Sequence, residues 1–335
     1  MRPTPCISGF GYFSSPDFLI QTLHILSAIS TPIYFLGVYC ILFKTPKEMA
    51  SAKFYMLNHH FWIMCLDYYM CIFTVPYLLV PEFAGITYGV LRHLGVPSLY
   101  QELVGAVMLA YMVIAIIAIY ENRFFILCEF RGKATWAFAR RIWLFANHAV
   151  MIVISIPVYF LLPDQETARQ KIFNNLPCLP DYIYQEPVLV MTTGNAYYAA
   201  TLIFACTILC VQPAFFILQL ILNWRKQQTS QRISQKTLQL HKQFFLALVT
   251  QMSIPVSFLL VPLGYGYMTF LFNYYNQAVM NWVLVVFMSH GALSTVVMIV
   301  VHKPYRLSLF SKFASTSDLR ALAERSCETA VRVSY

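Results

Sequence analysis

The sequence predicts an all-α membrane protein, a bundle of seven transmembrane helices with the N-terminus outside and the C-terminus inside. Its composition is 59% hydrophobic and 11% charged, which leaves little room for a separate soluble domain. Seven apolar runs are long enough to cross a bilayer, and the basic residues collect in alternate gaps between them. Because every backbone polar group in hydrocarbon needs an internal partner, these runs must form helices.

Each apolar run exceeds the roughly 20 residues that a helix needs to cross the bilayer core. The third run is extended outward by a polar lead-in. The runs cover residues 18–43, 56–80, 94–122, 142–162, 197–222, 243–263 and 279–301. Five of them contain a proline that is expected to kink its helix, because proline removes a backbone hydrogen bond: Pro32, Pro76, Pro157, Pro213 and Pro255.

The basic residues set the predicted orientation of the bundle. Of the 23 Lys and Arg residues, 19 follow the first, third, fifth and seventh runs. Short loops rich in Lys and Arg stay in the cytoplasm, so the N-terminus is predicted to lie outside. We assign residues 1–17 to an extracellular segment, 18–301 to the transmembrane domain and 302–335 to a cytoplasmic tail.

The net charge of +9 would favour nucleic-acid binding in a soluble protein. Here the basic residues line the cytoplasmic lipid surface, where anionic headgroups attract them. We therefore expect a lipid membrane as a partner, and no nucleic acid. The seventh run contains no Lys, which excludes a retinal Schiff base there, and we expect no cofactor.

Two of the nine cysteines, Cys6 and Cys178, are predicted to face the oxidising exterior. A disulfide between them is the one outer bridge that the topology permits, and it would tie the N-terminal segment to the second outer loop. Two unpaired thiols are the alternative, because sequence does not establish connectivity.

Asp67 lies near the middle of the second run, where a charged side chain is costly unless it is protonated, paired or hydrated. We predict a functional role for Asp67, with Ser289, His290 and Ser294 of the seventh run as partners at a matching depth. The alternative is a protonated carboxyl group that serves only packing.

The neighbouring His59 and His60 suggest a metal site, but their spacing argues against one. Adjacent side chains on a helix point about 100° apart, so both rings cannot easily reach one ion. We expect polar anchoring at the membrane interface and no metal. The sequence also lacks the HExxH and GxSxG motifs and any paired intramembrane carboxylates, so we expect no enzyme.

The third run ends in Glu121, Asn122 and Arg123 at the predicted inner surface. Glu121 can restrain Arg123 in a lock that a conformational change releases. An ordinary Arg that extends to the lipid surface is an equal alternative. After the seventh run, Tyr305, Leu309, Phe310 and Phe313 share one face of a short helix predicted to lie on the inner leaflet.

Polar and aromatic residues near the outer ends of three runs suggest a cavity for a small organic molecule. The alternative is an aromatic belt at the membrane interface, which any single Tyr or Trp fits as well. The candidate ligand-binding residues are Gln101, Glu102, Met108, Tyr111, Tyr197, Tyr198, Thr201, Asn281 and Trp282.

Motifs along most of the chain, from about residue 14 to 310, resemble nematode serpentine chemoreceptors of class H, a branch of G-protein-coupled receptors. Each motif alone is weak, and together they are quite specific. They are Tyr39-Cys40-Ile41-Leu42-Phe43-Lys44-Thr45-Pro46-Lys47, Met56-Leu57-Asn58, His60-Phe61-Trp62, Glu121-Asn122-Arg123-Phe124, Leu176-Pro177-Cys178-Leu179-Pro180 and His302-Lys303-Pro304-Tyr305-Arg306.

The resemblance implies a chemosensory receptor in the plasma membrane of sensory neurons. It would bind an odorant or soluble chemical and signal to a heterotrimeric G protein. Glu121-Asn122-Arg123 takes the place of the Asp-Arg-Tyr motif of rhodopsin-like receptors, and Pro304-Tyr305 loosely that of Asn-Pro-x-x-Tyr. Three features depart from those receptors: Arg123 is shifted by one position, no Trp precedes Pro255, and the third run lacks an outer Cys, which favours a bridge from Cys6.

A transporter or ligand-gated channel that uses Asp67 is the main rival. The odd number of runs, the absence of an internal repeat and the scarcity of charges along a continuous path argue against it. Insect-type odorant channels also have seven helices, but with the opposite orientation. The sequence does not specify the ligand, the G-protein subtype or the oligomeric state.

The predicted orientation can be tested with epitope tags. A tag at residue 1 should be stained on intact cells, whereas a tag after Tyr335 should be stained only after permeabilisation, because the basic gaps hold the C-terminal side in the cytoplasm. The reverse pattern would place the chain in the orientation of the insect-type channels.

Overall fold

The computed structural model describes residues 11–46, 50–176, 179–194, 196–229 and 235–310. Several side chains in 196–259, among them those of Tyr197, Tyr198 and Thr201, and the whole of Cys6 and Cys178 lie outside the described residues. The predicted Cys6–Cys178 bridge therefore stays a prediction.

The chain folds into an all-α bundle of long helices with a small sheet at one end. The length and the apolar composition of these helices are those of a membrane protein. Within the described residues, five stretches are long and apolar enough to cross a membrane: Pro16–Phe43, Ser98–Leu127, Lys133–Phe160, Val249–Phe272 and Gln277–Val301. The second and fifth predicted runs form the helices α2 and α8.

The helices follow the predicted runs and mostly extend beyond them. Their bounds are α1 Pro16–Phe43, α2 Ala50–Tyr68, α3 Val90–His93, α4 Ser98–Leu127, α5 Lys133–Phe160, α6 Gln165–Asn175, α7 Asp181–Gln185, α8 Ala196–Thr229, α9 Gln235–Phe272, α10 Gln277–Met288, α11 His290–Val301 and α12 Lys303–Phe310. The seventh run is interrupted at Ser289, so it consists of α10 followed by α11.

The second run departs from its prediction. After α2 the chain continues as a π-helix over Tyr69–Thr74, and Val75 adopts a left-handed conformation with φ of 44°. Pro76 then begins a strand, so it lies outside the helix that it was expected to kink. The other four predicted prolines lie inside helices, as does Pro262 of α9.

A three-stranded antiparallel sheet closes one end of the bundle. Its strands are β1 Pro76–Leu78, β2 Ala84–Thr87 and β3 Leu189–Val190, with β2 in the centre. Tyr77 pairs with Ile86, and Ala84 pairs with Val190, so the connection between α5 and α8 is bound to the connection between α2 and α4. We call this the sheet end and the opposite end, which carries Arg123, Arg140 and Lys303, the basic end.

The helix α4 lies at the centre of the bundle. Every residue from Met112 to Phe124 is buried, so this stretch of α4 has no side that faces lipid. It packs against α2, α5 and α8. By contrast, only 12% of the apolar window of α9 and 17% of that of α5 is buried, so these two helices lie at the periphery.

Close packing between α1, α2 and α11 depends on Gly291. A β-carbon at this position would contact the Tyr34 hydroxyl and lie 2.7 Å from Ile63 Cγ2. Tyr34 is itself fully buried. The tight contact explains why glycine occupies the second position of α11, where a larger residue would force the helices apart.

We therefore expect Gly291→Ala to lower the unfolding free energy of the purified protein by about 1–3 kcal/mol, because overpacking strains a close-packed core. Gly264→Ala in α9 is the matched control, since its β-carbon would meet no atom within 4 Å. It should be neutral or slightly stabilising, as alanine is the better helix former. Thermal unfolding in detergent measures both, and equal stability of the two variants would contradict the packing argument.

Candidate functional site

The basic end of α4 carries a buried carboxylate held by two residues of α5. Glu121 Oε2 lies 2.6 Å from Arg140 Nη2, and Trp136 Nε1 donates a hydrogen bond of 2.8 Å to Glu121 Oε1. The side chain of Glu121 is 3% exposed and that of Arg140 is 14% exposed. We call these three residues the carboxylate clamp. Both carboxylate oxygens are thereby satisfied, as a buried charge requires.

The clamp extends to α2 through Asn122 and Arg140. Arg140 Nη2 also lies 3.2 Å from Asn122 Oδ1 and 3.2 Å from the Tyr55 hydroxyl. Asn122 Nδ2 donates to the backbone oxygen of Ser51 over 3.2 Å. The guanidinium group of Arg140 lies 4.3 Å from the centre of the Phe125 ring. The clamp thus joins α2, α4 and α5 at one point.

Arg123 lies on a different face of α4, beside the end of the last span. It is 6% exposed, and its charge acts on His302. His302 Nε2 lies 3.2 Å from Gln251 Oε1 of α9, and this pair is buried. Burial, and secondly the positive charge of Arg123, lower the pKa of His302 to about 4. His302 is therefore neutral at physiological pH.

This arrangement corrects the predicted lock. We expected Glu121 to restrain Arg123, but Glu121 forms its ion pair with Arg140. The side chains at positions 121 and 123 point about 200° apart on a helix, which explains the separation. Sequence reasoning missed Arg140, Trp136, Gln251 and His302 as parts of this region, because no local spacing relates them to Glu121 or Arg123.

Pro304 and Tyr305 begin the short helix α12. Tyr305 is fully buried against Cys40, Ile41, Met56 and Met298, and its hydroxyl lies 2.8 Å from Thr45 Oγ1. We expected Tyr305 on the lipid-facing side of this helix. It instead fixes α12 to the ends of α1 and α2.

A group of polar side chains is buried between α1, α2 and the last span. Asp67 is fully buried, and its Oδ1 accepts a hydrogen bond of 3.5 Å from Cys71 Sγ. Tyr34 lies close enough to interact with this carboxyl group. We call this group the polar core: Ser27, Ser30, Tyr34, His59, His60, Asp67, His290, Ser294 and Thr295.

The predicted partners of Asp67 occupy two different environments. His290 and Ser294 are buried in the polar core, whereas Ser289 is half-buried and donates to the Val286 backbone oxygen over 2.7 Å. His290 Nδ1 lies 2.6 Å from the Phe287 oxygen, and its Nε2 lies 3.3 Å from Met112 Sδ. These contacts link the last span to α4. A functional role for Asp67 stays a prediction.

His59 and His60 are only 1% and 3% exposed, so they lie inside the bundle and not at the membrane interface as we expected. His60 Nε2 lies 3.0 Å from the Tyr34 backbone oxygen, and its ring packs edge-on against the Tyr34 ring. The correction follows from packing, since α2 is enclosed by α1, α4 and α11.

The predicted ligand-binding residues of α4 occupy two levels of that helix. Gln101 is buried and donates to the Val96 oxygen over 2.8 Å, while its own backbone oxygen accepts from the Tyr69 hydroxyl. Glu102 and Met108 are half-buried. Tyr111 is half-buried between Trp62 and His148, with ring centres 4.9 and 4.6 Å away.

The predicted residues of the last span contact the N-terminal segment. Asn281 is fully buried and donates hydrogen bonds of 2.9 and 3.3 Å to the backbone oxygens of Phe13 and Ser15. Trp282 is 45% exposed and packs against Phe18. The ligand-binding role of this set stays a prediction, and Tyr197, Tyr198 and Thr201 fall outside the described side chains.

Comparison with known proteins identifies the family. The model of the family described as "Serpentine type 7TM GPCR chemoreceptor Srh" matches residues 14–315. The Caenorhabditis elegans protein named "Serpentine receptor class H-72" is 27% identical over 318 residues, which cover 94% of this chain and 91% of that protein. The chain belongs to this family of multi-pass membrane chemoreceptors, which are receptors and not enzymes.

The low pKa of His302 predicts a pH dependence of stability. The folded state keeps His302 neutral down to about pH 4, whereas the unfolded chain binds a proton near pH 6.5. The contribution of neutral His302 to the free energy of unfolding is therefore fully present above pH 6.5 and is lost as the pH is lowered towards 4. His302→Gln should reduce this loss, by up to about 3 kcal/mol.

Unfolding midpoints at pH 7 and pH 5 measure this effect. His93→Gln, which changes an exposed histidine at the sheet end, is the control and should leave the wild-type pH dependence intact. An equal pH dependence in wild type and His302→Gln would exclude His302 as its source.

Proposed function

We propose that this member of the serpentine class H family is a chemosensory receptor that binds a small environmental molecule from outside and signals to a heterotrimeric G protein. It would act in the plasma membrane of sensory neurons, with the sheet end outside and the basic end in the cytoplasm. Membership of a chemoreceptor family supports a small-molecule ligand and a membrane location.

The carboxylate clamp is the observation that carries the signalling part of the proposal. It holds α4 to α5 through one buried ion pair. The sequence around it, from Arg123 to Arg141, contains five basic residues. Separating a buried pair of this kind inside the protein is costly, so the clamp would open only if both charges became hydrated. We infer that the closed clamp belongs to the silent state of the receptor.

The helix α4 provides a direct connection between the two ends. About 20 residues separate Gln101 from Glu121, so a rise of about 1.5 Å per residue places them roughly 30 Å apart on one continuous helix. A ligand near Glu102, Met108 and Tyr111 would act on the same helix that carries the clamp. It can favour the signalling state only by its difference in affinity for the two states.

The loops at the basic end would form the G-protein surface. Exposed cations are present at this end of the bundle. Arg131 lies in the connection after α4, and Arg225 lies in the last turns of α8. Displacement of α5 from α4 would alter the distance between these loops. Arg123, buried beside His302 and Gln251, would then contribute to the surface that the partner contacts.

Heterologous expression tests the receptor assignment. Cells that express the chain with a panel of G-protein α subunits should give a calcium or cyclic-nucleotide response to at least one compound in a panel of volatile and soluble small molecules. Silence with every coupling partner, in cells with surface expression, would contradict the proposed function.

Variants of the clamp make the test specific. The double variant Glu121→Gln/Arg140→Gln removes both charges without leaving either one buried alone, and it should raise basal signalling several-fold. Arg123→Gln should abolish ligand-evoked signalling while ligand binding is retained.

Lys133→Gln is the matched control for the clamp variants. It removes a cation at the start of α5, the helix that carries Arg140. The ion pair between Lys133 and Glu129 is exposed at the Glu129 side, so its loss should cost little stability. Basal signalling of this variant should equal that of wild type. Unchanged signalling from well-expressed clamp and Arg123 variants would exclude the roles assigned to them.

A further inference from the structure

At the sheet end, α6, α7 and β3 cover part of the bundle, and we call these three elements the cap. Gln165 and Val190 exchange two hydrogen bonds of 3.0 and 3.1 Å, and Arg169 Nε donates to the Val188 oxygen over 2.6 Å. Arg92 Nη2 lies 2.5 Å from Glu186 Oε2. These contacts fix α6, α7 and β3 to the sheet.

The underside of the cap is filled by apolar side chains from the sheet, from α6 and α7, and from the spans α1 and α10. The fully buried members include Leu19, Tyr77 and Ile183. A polar molecule that entered the bundle beneath the sheet would therefore have to displace the side chains of this packing among the described residues.

A groove remains open beside the cap, between the β1–β2 connection, α6 and the turn that follows α9. Two cavities of about 310 and 290 Å³ meet here, since Pro81, Asn175 and Asn273 line both of them. Asn273 is one of the few described residues other than glycine with a positive φ, 45°. The groove lies where the cap and the last two spans meet.

Charges of opposite sign line this groove. Lys171 of α6 and Glu82 of the β1–β2 connection both line the smaller cavity. In the part of the chain that the structure describes, the ion pairs are Arg92–Glu186, Lys133–Glu129 and Arg140–Glu121, so Lys171 and Glu82 are not bound to each other. Lys171 Nζ donates to the Thr193 oxygen over 3.3 Å, and Glu82 Oε1 accepts from Asn175 over 3.0 Å.

The remaining walls combine aromatic and amide groups. Phe83 and Phe270 line the same cavity as Lys171 and Glu82 and are 53% and 65% exposed. Asn175 and Asn273 add groups that both donate and accept hydrogen bonds. A ligand here meets a cation, a carboxylate and two apolar surfaces.

We propose that the groove lined by Lys171, Glu82, Phe83 and Phe270 binds a small zwitterion, a molecule of the amino-acid class with one ammonium group, one carboxylate and an apolar side group. This inference rests on the proposed function, and it adds at the sheet end a binding site that is separate from Glu102, Met108 and Tyr111 of α4. Lys171 pairs with the carboxylate, Glu82 with the ammonium group, and the apolar group packs against the phenylalanines.

Size and charge select this class. A cavity near 290 Å³ is at the small end of ligand sites, which suits a molecule of amino-acid size. An uncharged odorant would gain nothing from either charge, and a simple anion or cation would be attracted to one charge and repelled by the other. A zwitterion matches both charges at once.

Binding of free α-amino acids to the full chain in lipid nanodiscs tests the proposal, with saturation-transfer NMR or thermophoresis as the measurement. At least one amino acid should bind, and its N-acetyl and methyl-ester derivatives, which each lack one charge, should bind at least tenfold more weakly. Lys171→Met should lose the distinction against the methyl ester, and Glu82→Gln that against the N-acetyl derivative.

Glu166→Gln is the control, since it changes a carboxylate on the same helix outside the groove and should leave affinity unchanged. Absence of binding by every free amino acid, or equal binding of the blocked derivatives, would overturn the proposal. Signalling to another compound would then leave the receptor function intact. Amino-acid binding without any G-protein response would instead support the groove and contradict the signalling function.

Discussion

The enclosure of α4 is the constraint on which the rest of the structure depends. Its residues from Met112 to Phe124 are buried without interruption, so neighbouring helices must cover it on every side. In a bilayer, polar groups on such a helix find partners only within the protein. Glu121 and Asn122, at its basic end, accordingly bind Arg140 of α5 and the backbone of α2.

The same enclosure divides the bundle into a firm side and a looser side. On the firm side, α1, α2 and the last span form the polar core, which contacts α4 through His290 and Met112, and Gly291 allows close approach to Tyr34. On the looser side, α5 and α9 have mostly exposed windows. Movement during signalling would fall on these peripheral helices, because they lose the least buried contact. The clamp and the His302–Gln251 pair join this side to the centre.

The two ends of the bundle are closed by different chemistry. The sheet end is held mainly by backbone pairing and by the apolar packing beneath the cap, with the partly exposed Arg92–Glu186 ion pair in addition. The basic end is held by a few buried polar pairs. Removal of one charge at the basic end therefore destabilises the protein more than removal of one charge at the sheet end, since a buried ion that loses its partner is costly. This difference is consistent with the function proposed above, in which a ligand binds at one end and the other end rearranges.

Hydrophobic run length and charge composition determined the all-α membrane fold from sequence, because hydrocarbon permits only helices and closed barrels and the long apolar runs fit helices. Motifs around Glu121-Asn122-Arg123 and His302 indicated the family. The sequence did not predict the ion pair between Glu121 and Arg140 or the strand that begins at Pro76. It also did not predict the burial of His59, His60 and Tyr305. Those outcomes depend on which helices become neighbours. Only tertiary packing decides this, since side-chain partners 19 or more residues apart leave no periodic signal in the chain.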